Sequence, residues 1–487
     1  MHPDSHNPHH ERRWLILAVL GLAQLMVILD ATIVNIALPS AQHGLHFSND
    51  LRQWVITAYA LSFGSLLLLG GRLSDLFGRK RTLIIGLLGF AGASALGGSA
   101  QSIGVLIGAR ALQGAFGALL APSVLSLLTT TFTDARERGR AFAIYGAIAG
   151  AGGALGLLFG GVLTEYFSWR ACLYVNLAFA VPATVGALTL VHNQPRSTGV
   201  RLDLPGALTA SGGLLATVYG LTKAQTDGWG APVTIGLLAA GALLLVVFTA
   251  IQRRSQSPLL PLRIVADRNR GGAYLSVGLA AAGMFGVFLF LTYYLQQNLG
   301  LSPVQTGLAF LPMTLVISVA AAIAQTRLLP RTGPKPLVIA GMLLAAGGMV
   351  MLAQLGVHST YAADILPGLL VLAAGLGLTM ATGMNTATFG VRPADAGAAS
   401  AMVNTSQQIG GSIGTALLST LAASATSAML HGAPPSPAMM SAAAVHGYTT
   451  AFWFSAAIFT FGAVVGGLLL RPGVNRLDAA PAPVLAH

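Results

Sequence analysis

Between two long apolar runs the chain reads Gly71-Arg72-Leu73-Ser74-Asp75-Leu76-Phe77-Gly78-Arg79-Lys80-Arg81. This stretch holds four basic residues, one acid and two glycines, and the flanking runs, 57–70 and 83–96, carry no charge. Such dense charge beside apolar runs of membrane length indicates a short connection at a membrane surface. An excess of Arg and Lys predicts that this connection lies on the cytoplasmic side.

The composition places the chain in a membrane. Hydrophobic residues make up 54% of the 487 residues and charged residues 8%, with a mean hydropathy of +0.72. Soluble globular proteins carry about 25% charged residues. The sequence therefore predicts an all-α integral membrane protein. A single cysteine, Cys172, excludes an intramolecular disulfide and a multi-cysteine zinc site.

Runs of membrane length predict fourteen spans, because a helix needs about 20 apolar residues to cross the hydrocarbon core. The predicted spans are 14–38, 53–71, 82–100, 103–128, 141–163, 171–191, 204–221, 232–251, 273–295, 306–325, 337–355, 365–388, 400–424 and 449–470. The longest outer connection, 425–448, carries no charge and several prolines. It is predicted to be a flexible linker.

The basic residues support this count. With the N-terminus inside, all but four of the 26 Lys and Arg residues fall on the cytoplasmic side, as the positive-inside rule predicts. The formal charge of +12 therefore lines one membrane face, which excludes nucleic-acid binding. Both termini are predicted to be cytoplasmic. The predicted units are a tail (1–13), a six-helix bundle (14–191), two inserted helices (204–251), a cytoplasmic linker (252–270), a second six-helix bundle (271–470) and a tail (471–487).

An internal repeat supports two related halves. The motif after the second span recurs after the second span of the other half at a constant offset of 255 residues. Parallel repeats of this kind build many secondary transporters. The second copy has Pro330 where the first has Asp75. The matching pairs are Arg72 and Arg327, Leu73 and Leu328, Gly78 and Gly333, Lys80 and Lys335, and Gly86 and Gly341.

The predicted energy source is an ion gradient or a partner. No lysine follows a glycine, so the chain lacks the phosphate-binding loop of ATP-driven pumps. Only Asp30 and Arg110 are ionisable and well inside a span, and such residues are functional by default. They are predicted to lie at a similar depth and to pair if spans 1 and 4 are neighbours. The alternative is a structural ion pair that never titrates.

The pattern G-x-L-x-D-x-x-G-R-K between spans 2 and 3 resembles the loop signature of the major facilitator superfamily. The resemblance implies two six-helix bundles around a cavity that opens alternately to each side. It also implies a gating role for the loop, in which the acid contacts the start of span 13. The gating residues in this sequence are Gly71, Arg72, Asp75, Gly78, Arg79 and Lys80.

Further motifs resemble the fourteen-span drug:proton antiporters of the EmrB/QacA type. Span 1 carries the signature 29–39, and span 4 carries Ala109-Arg110-Ala111-Leu112-Gln113-Gly114. The resemblance implies that Asp30 and Arg110 couple transport to protons. Three later segments, including Trp169-Arg170 with Asn176, are also similar. The glycines of the antiporter motif in span 5 are Gly152, Gly156, Gly160 and Gly161, with Leu157 at the usual proline position.

Polar side chains at mid-membrane depth are candidates for a substrate cavity. The alternative is that each serves interhelical packing, which is the more common role of such side chains in membrane helices. The candidates are Asn35, Gln113, Asn385, Asn404 and Gln407. Met and Phe residues are numerous, and Met can repack around different ligands.

These observations predict a proton-coupled exporter of lipophilic, often cationic, drugs or antibiotics in a bacterial cytoplasmic membrane. One alternative is a narrow-substrate metabolite exporter or symporter of the same fold. The other is a membrane sensor or scaffold that transports nothing. No metal cluster or nucleophile–His–acid set indicates an enzyme, and no cofactor is predicted. The expected partners are protons, the small-molecule substrate and membrane lipids, and the chain is expected to be a monomer.

Overall fold

The protein is described by a computed structural model covering residues 12–132, 135–192, 203–255, 258–391, 396–430 and 436–473. All regular structure in these residues is helical. One short helix spans Leu262–Ala266. The long helices are α1 (Arg13–Leu45), α2 (Asn49–Phe77), α3 (Arg79–Gly98), α4 (Ile103–Thr131), α5 (Ala135–Tyr166), α6 (Ala171–Leu190), α7 (Leu204–Asp227), α8 (Pro232–Arg254), α9 (Arg268–Asn298), α10 (Pro303–Thr332), α11 (Pro334–Leu352), α12 (Tyr361–Thr388), α13 (Ala396–Leu430) and α14 (Pro437–Leu469).

Each predicted span falls on one of these helices. Twelve of the helices in the described residues are long and apolar enough to cross a membrane, and α2 and α5 are outside that set. Both of these helices are long, with 29 and 32 residues. The all-helical membrane architecture is therefore confirmed, whereas the count of fourteen crossings stays a prediction.

The stretch 71–81 is not an extended loop. Helix α2 continues to Phe77 and α3 begins at Arg79, so the connection is the single residue Gly78. Gly78 has φ 91°, and Gly333, its counterpart in the repeat, has φ 75°. Only glycine enters this region of φ without steric cost. The expected loop was wrong because one glycine reverses the chain and leaves the polar residues in helical turns.

The predicted flexible linker 425–448 is also mostly helical. Helix α13 extends to Leu430 and α14 starts at Pro437, where the hydroxyl oxygen of Ser436 accepts a hydrogen bond from the Met439 N–H at 3.2 Å. The segment is rich in Ala and Met, both good helix formers. Absence of charge therefore indicated long helices rather than a loop.

The helix ends form two faces. On the basic face, Arg13 at the start of α1 contacts Glu137 on α5 at 2.7 Å, and Lys80 Nζ donates to the Leu188 carbonyl on α6 at 2.8 Å. Gly78 and Gly333 also lie at this face. The end of α1 and the start of α10 lie at the other one, here called the opposite face.

Helix packing repeats in the two halves of the chain. In the first half, α1 contacts α4, α5 and α6, and α3 and α4 form the next layer. In the second half, α9 contacts α12, α13 and α14, and α11 and α12 pair in the same way. The halves meet where α2 packs on α13 and α5 packs on α10. The hairpin of α7 and α8 lies beside this junction, where α7 packs against α2 and α13.

Candidate functional site

A buried ion pair lies at the centre of the first half. Arg110 Nη1 on α4 donates to Asp30 Oδ2 on α1 at 2.5 Å. The two side chains are 2% and 0% exposed. Removing two charges from water is costly unless the ions pair closely and their remaining hydrogen-bonding groups are satisfied. The pairing predicted from their depth is therefore present in the structure.

Amide groups complete the shell of the carboxylate. Asp30 Oδ1 accepts hydrogen bonds from Gln113 Nε2 at 2.9 Å and from Asn176 Nδ2 at 2.7 Å. Both amide nitrogens also donate to Ser94 Oγ, at 3.0 and 2.8 Å, and Ser94 donates to the Leu173 carbonyl at 2.8 Å. Gln113, Asn176 and Ser94 are fully buried. Helices α3, α4 and α6 thus converge on one carboxylate.

Arg110 is fixed on its other sides. Its Nε donates to the Val55 carbonyl at 3.2 Å, and its Nη1 donates to Gln113 Oε1 at 2.9 Å. Its guanidinium carbon lies 4.4 Å from the centroid of the Tyr59 ring on α2. Cation–π contact of this kind stabilises a desolvated guanidinium. Five helices of the first half therefore hold the pair.

The positions of the second half that correspond to this site lack its chemistry. At the repeat offset of 255 residues, Asp30, Ser94 and Arg110 correspond to Phe285, Met349 and Ile365, and Ile365 is fully buried. The helix scaffold is duplicated while the ionisable site is present in one copy. In the described residues, no group of His, Cys, Asp and Glu is arranged to hold a metal.

The structure places Gln113 within the Asp30 network rather than on an open cavity surface. No sequence pattern singles out Ser94 or Tyr59, because isolated polar residues in apolar runs are common packing groups. Asn176 is indicated in the sequence only by the family resemblance. The other cavity candidates lie on different helices: Asn35 donates to the Ala31 carbonyl at 3.2 Å, Asn385 on α12 donates to Gln325 Oε1 at 3.1 Å, and Asn404 and Gln407 are half-buried on α13.

The glycines of α5 lie at helix contacts. A β-carbon at Gly152 would lie 3.1 Å from the Ile28 side chain, and one at Gly160 would lie 2.9 Å from the Ile33 carbonyl oxygen. At Gly156 a β-carbon would overlap Thr32. These three positions let α1 and α5 touch. Gly161 instead faces the start of α10, where a β-carbon would lie 2.7 Å from the Pro303 carbonyl oxygen.

The predicted gating residues lie at the basic face. Arg72 Nη2 donates to the Pro258 carbonyl, in the linker after α8, at 2.5 Å. Gly71 faces Pro122 of α4, since a β-carbon there would lie 3.7 Å from the proline side chain. The side chain of Asp75 lies outside the described part of the structure, so its contact with α13 stays a prediction. Arg79 and Lys80 are the first two residues of α3.

At the opposite face the two halves are in contact. Arg52 of α2 lies over the rings of Tyr293 and Tyr448, at 4.3 and 5.9 Å from their centroids. The Tyr293 hydroxyl donates to Gln42 Oε1 of α1 at 2.6 Å. A continuous apolar cluster also joins α1 and α5 to α9 and α10. Side chains of both halves are therefore packed together at this face.

Glu165, at the end of α5, adds a polar contact between the halves. Its Oε2 accepts a hydrogen bond from the Val304 N–H at 3.0 Å, in the first turn of α10. The Ser302 hydroxyl and then the Val304 N–H hold the pKa of Glu165 below its ordinary value of 4.5. Both groups hydrogen-bond to the ionised form, which is thereby favoured.

This lowered pKa sets the pH range of the contact. The ionised Glu165 contributes fully above its ordinary pKa, and the contribution is lost as pH falls through the lowered value. We expect Glu165→Ala to produce a small increase in the separation of spin labels at positions 166 and 305 at neutral pH. Asp364→Ala, which removes a carboxylate that caps its own helix at Thr360, is the matched control. An unchanged separation in Glu165→Ala would contradict the role of this contact.

The duplicated helical halves, the inserted hairpin and the buried ion pair define a secondary-transporter scaffold. The sequence profile described as Major Facilitator Superfamily matches residues 20–415. The chain therefore belongs to the major facilitator superfamily. Two solved structures share the fold: a bacterial homologue of the human lysosomal transporter Spinster (TM-score 0.66, 16% identity, 94% of this chain and 96% of that one) and an auto-inhibited POT family peptide transporter (TM-score 0.68, 16% identity, 96% and 99%).

Several relatives are antibiotic resistance or export proteins. The chain is 50% identical over 471 residues to the puromycin resistance protein pur8 of Streptomyces alboniger, covering 96% of this chain and 93% of the relative. It is 39% identical to the cephamycin export protein CmcT of Amycolatopsis lactamdurans, covering 84% and 85%. It is 35% identical to the multidrug efflux pump LfrA of Mycolicibacterium smegmatis, covering 84% and 81%.

Proposed function

We propose that this protein exports lipophilic antibiotics or drugs across the cytoplasmic membrane of a bacterium, in exchange for protons. The observation that carries the proposal is the fully buried carboxylate of Asp30, paired with Arg110 and bound by two amides. A buried intramembrane acid with a cationic partner is an available proton carrier. The antibiotic and drug exporters among the relatives support the substrate class.

In the proposed cycle, Asp30 alternates between two forms. When Asp30 is ionised, it binds Arg110 and holds α1 against α4. When it takes a proton, the attraction to Arg110 weakens and the helices can shift. The same conformational change then carries the substrate outward and the proton inward. The packed opposite face is proposed to be the outer side in its closed state, which leaves the cavity to open towards the basic face.

We further propose that the chain crosses the membrane fourteen times, as in the EmrB/QacA type, as a monomer with no cofactor. Helix α1 ends at the opposite face and α3 starts at the basic face, so α2 must connect them through the bundle. The same argument applies to α5 between α4 and α6. On this reading the two bundles are 14–191 and 271–470, the inserted pair is 204–251, and both termini are cytoplasmic.

Thiol labelling tests this topology. In a Cys172→Ser background, we expect single cysteines at positions 227 and 436 to react with an impermeant reagent in intact cells. A cysteine at position 263, in the exposed part of the linker, should react only after the membrane is opened. Labelling of position 263 from outside would contradict both the orientation and the fourteen-span count.

The acid of the 71–81 stretch is proposed to act as a latch. The N-terminal end of α13 carries a partial positive charge that would attract Asp75 by about 0.3–1 kcal/mol. An energy of this size tilts a balance between two conformations. We expect Asp75→Asn to favour the state open to the basic face and to slow turnover while drug binding persists. Distance distributions between labels on 71–78 and the start of α13 would show this, and identical distributions would contradict the latch.

The direct test is a susceptibility panel in a pump-deficient bacterial host, followed by drug efflux from vesicles with an imposed proton gradient. We expect resistance to lipophilic compounds and efflux that a protonophore abolishes. Resistance without proton dependence would contradict the coupling. Absence of any efflux across the panel would instead favour a sensor or scaffold.

A narrow substrate range is the second candidate. The relatives with 50% and 39% identity carry the names of single antibiotic classes, whereas the relative named a multidrug pump is 35% identical. The breadth of the susceptibility panel separates the candidates. Protection against one structural class of antibiotic would favour the narrow exporter.

A further inference from the structure

Asn176 hydrogen-bonds to Asp30 through Nδ2 at 2.7 Å, while its buried Oδ1 has no partner in the described residues. We propose that Asn176 is a positioning residue that turns its amide over when Asp30 takes a proton. Its carbonyl oxygen then accepts the hydrogen bond of the protonated carboxyl group. This inference rests on the proposed function, in which Asp30 carries the proton, and assigns a second residue to that step.

In the structure, every partner of the Asp30 carboxylate is a donor. Arg110 Nη1 donates to Oδ2 at 2.5 Å, and Gln113 Nε2 and Asn176 Nδ2 donate to Oδ1 at 2.9 and 2.7 Å. This arrangement satisfies an ionised carboxylate, which only accepts. A protonated carboxyl group carries an O–H donor, and a buried donor without an acceptor is costly. The proton therefore requires an acceptor that the present arrangement does not offer.

Asn176 has the acceptor that is available for this purpose. The guanidinium of Arg110 has only donors. Gln113 Oε1 already accepts from Arg110 Nη1 at 2.9 Å. Asn176 Oδ1 is buried and has no hydrogen-bond partner in the described part of the chain. Turning the amide about its Cβ–Cγ bond exchanges Nδ2 and Oδ1, and this brings a carbonyl oxygen to the carboxyl group.

Ser94 lets the turned amide keep a hydrogen-bond partner. In the present state its Oγ accepts from Asn176 Nδ2 at 2.8 Å, and it donates to the Leu173 carbonyl at 2.8 Å. A hydroxyl can donate as well as accept, so it can rotate to donate to Asn176 Oδ1 after the turn. In doing so it gives up its hydrogen bond to the Leu173 carbonyl. One amide atom of Asn176 lacks a partner in each state, Oδ1 before the turn and Nδ2 after it. Neither orientation of the amide satisfies both of its polar atoms, so neither is strongly favoured and the proton can be released again.

The other titratable groups around Asp30 offer one rival acceptor. Helix α2 contributes Tyr59, whose hydroxyl also has no partner in the described residues, and α6 contributes the Cys172 thiol beside Asp30. The Tyr145 hydroxyl of α5 is bound to Gln24 Oε1 at 2.5 Å. Helix α3 presents the neutral Ser94. Towards α9, the Tyr293 hydroxyl is bound to Gln42. Tyr59 is therefore the group against which Asn176 must be tested.

Infrared difference spectroscopy on the full chain in lipid vesicles tests the inference directly. The protein is labelled with ¹³C at the asparagine side-chain carbonyl, and spectra are compared across an acidification. We expect a protonated-carboxyl band that Asp30→Asn removes. In the same spectrum, a labelled asparagine carbonyl band should move to lower frequency as it gains a hydrogen bond, and Asn176→Leu should remove that change.

The outcomes separate this inference from the proposed function. A carboxyl band with no change in the asparagine band would overturn the role of Asn176 alone. A carboxyl band that Tyr59→Phe shifts while the asparagine band stays fixed would assign the acceptor to Tyr59 instead. Absence of any Asp30 band would overturn the proton-carrying step itself and the inference with it.

Transport gives a second readout. We expect Asn176→Leu to slow proton-coupled efflux by about tenfold, as loss of one hydrogen bond at a charged site predicts. Asn176→Ser, which keeps an oxygen able to accept, should recover part of the rate. Thr184→Val is the matched control, because Thr184 is a buried hydroxyl on the same helix without a partner in the described residues. Wild-type efflux in Asn176→Leu would overturn the inference.

Discussion

Asp30→Asn is expected to abolish uphill drug efflux. Asparagine has nearly the same shape but binds no proton between pH 5 and 8, so the variant cannot exchange a proton for substrate. Substrate counterflow, which needs no proton gradient, should persist in vesicles. The measurement is drug efflux driven by an imposed pH gradient, compared with counterflow in the same vesicles.

The control is an acid outside the site. Asp227 is exposed at the opposite face and pairs with Lys223 at 3.3 Å, so Asp227→Asn should transport like the wild type. Membrane abundance and thermal unfolding of Asp30→Asn must also be followed, because the substitution leaves the Arg110 cation without its counter-ion. Uphill export by Asp30→Asn that a protonophore still collapses would refute the assignment.

Much of the architecture could be predicted from apolar run length. The fourteen predicted runs fall on fourteen long helices in the described part of the chain, because the hydrocarbon core requires runs of that length whatever the packing. The repeat offset was informative as well, since Gly78 and Gly333 end α2 and α10 with the same left-handed backbone. The connections were predicted less well. One glycine replaces the loop 71–81, and the segment 425–448 is largely helix, because low hydropathy or a lack of charge does not distinguish loops from helix ends.

The site was predicted in part. Depth along two apolar runs was enough to pair Asp30 with Arg110, since two unpaired charges at one level would be costly. The roles of Ser94 and Tyr59 as partners of the ion pair could not be predicted from the sequence. Ser and Tyr are frequent in membrane helices, and their role depends on how α2 and α3 rotate towards α4. Gln113 was expected to line a cavity but lies in the Asp30 network. Helix rotation, which the sequence does not reveal, decides whether an amide faces a cavity or a neighbouring helix.

Arg110→Leu is expected to be strongly destabilising. It would leave the Asp30 carboxylate, 0% exposed, without a counter-ion and with only two amide donors. Breaking a buried pair by removing one partner costs about 3–5 kcal/mol. We therefore expect a lower unfolding temperature in detergent and reduced membrane abundance, together with loss of efflux.

The double variant Asp30→Asn/Arg110→Leu separates the stability of the pair from its function. Replacing both ions removes the uncompensated charge, and replacing a buried ion pair with neutral groups is often neutral or stabilising. The double variant should therefore unfold at a higher temperature than Arg110→Leu while remaining inactive in uphill efflux. Recovery of stability without recovery of transport would mean that the ions are retained for proton coupling rather than for folding. A double variant no more stable than Arg110→Leu would mean that the loss in that variant comes from the contacts of the guanidinium with Val55 and Tyr59, and not from the unpaired carboxylate.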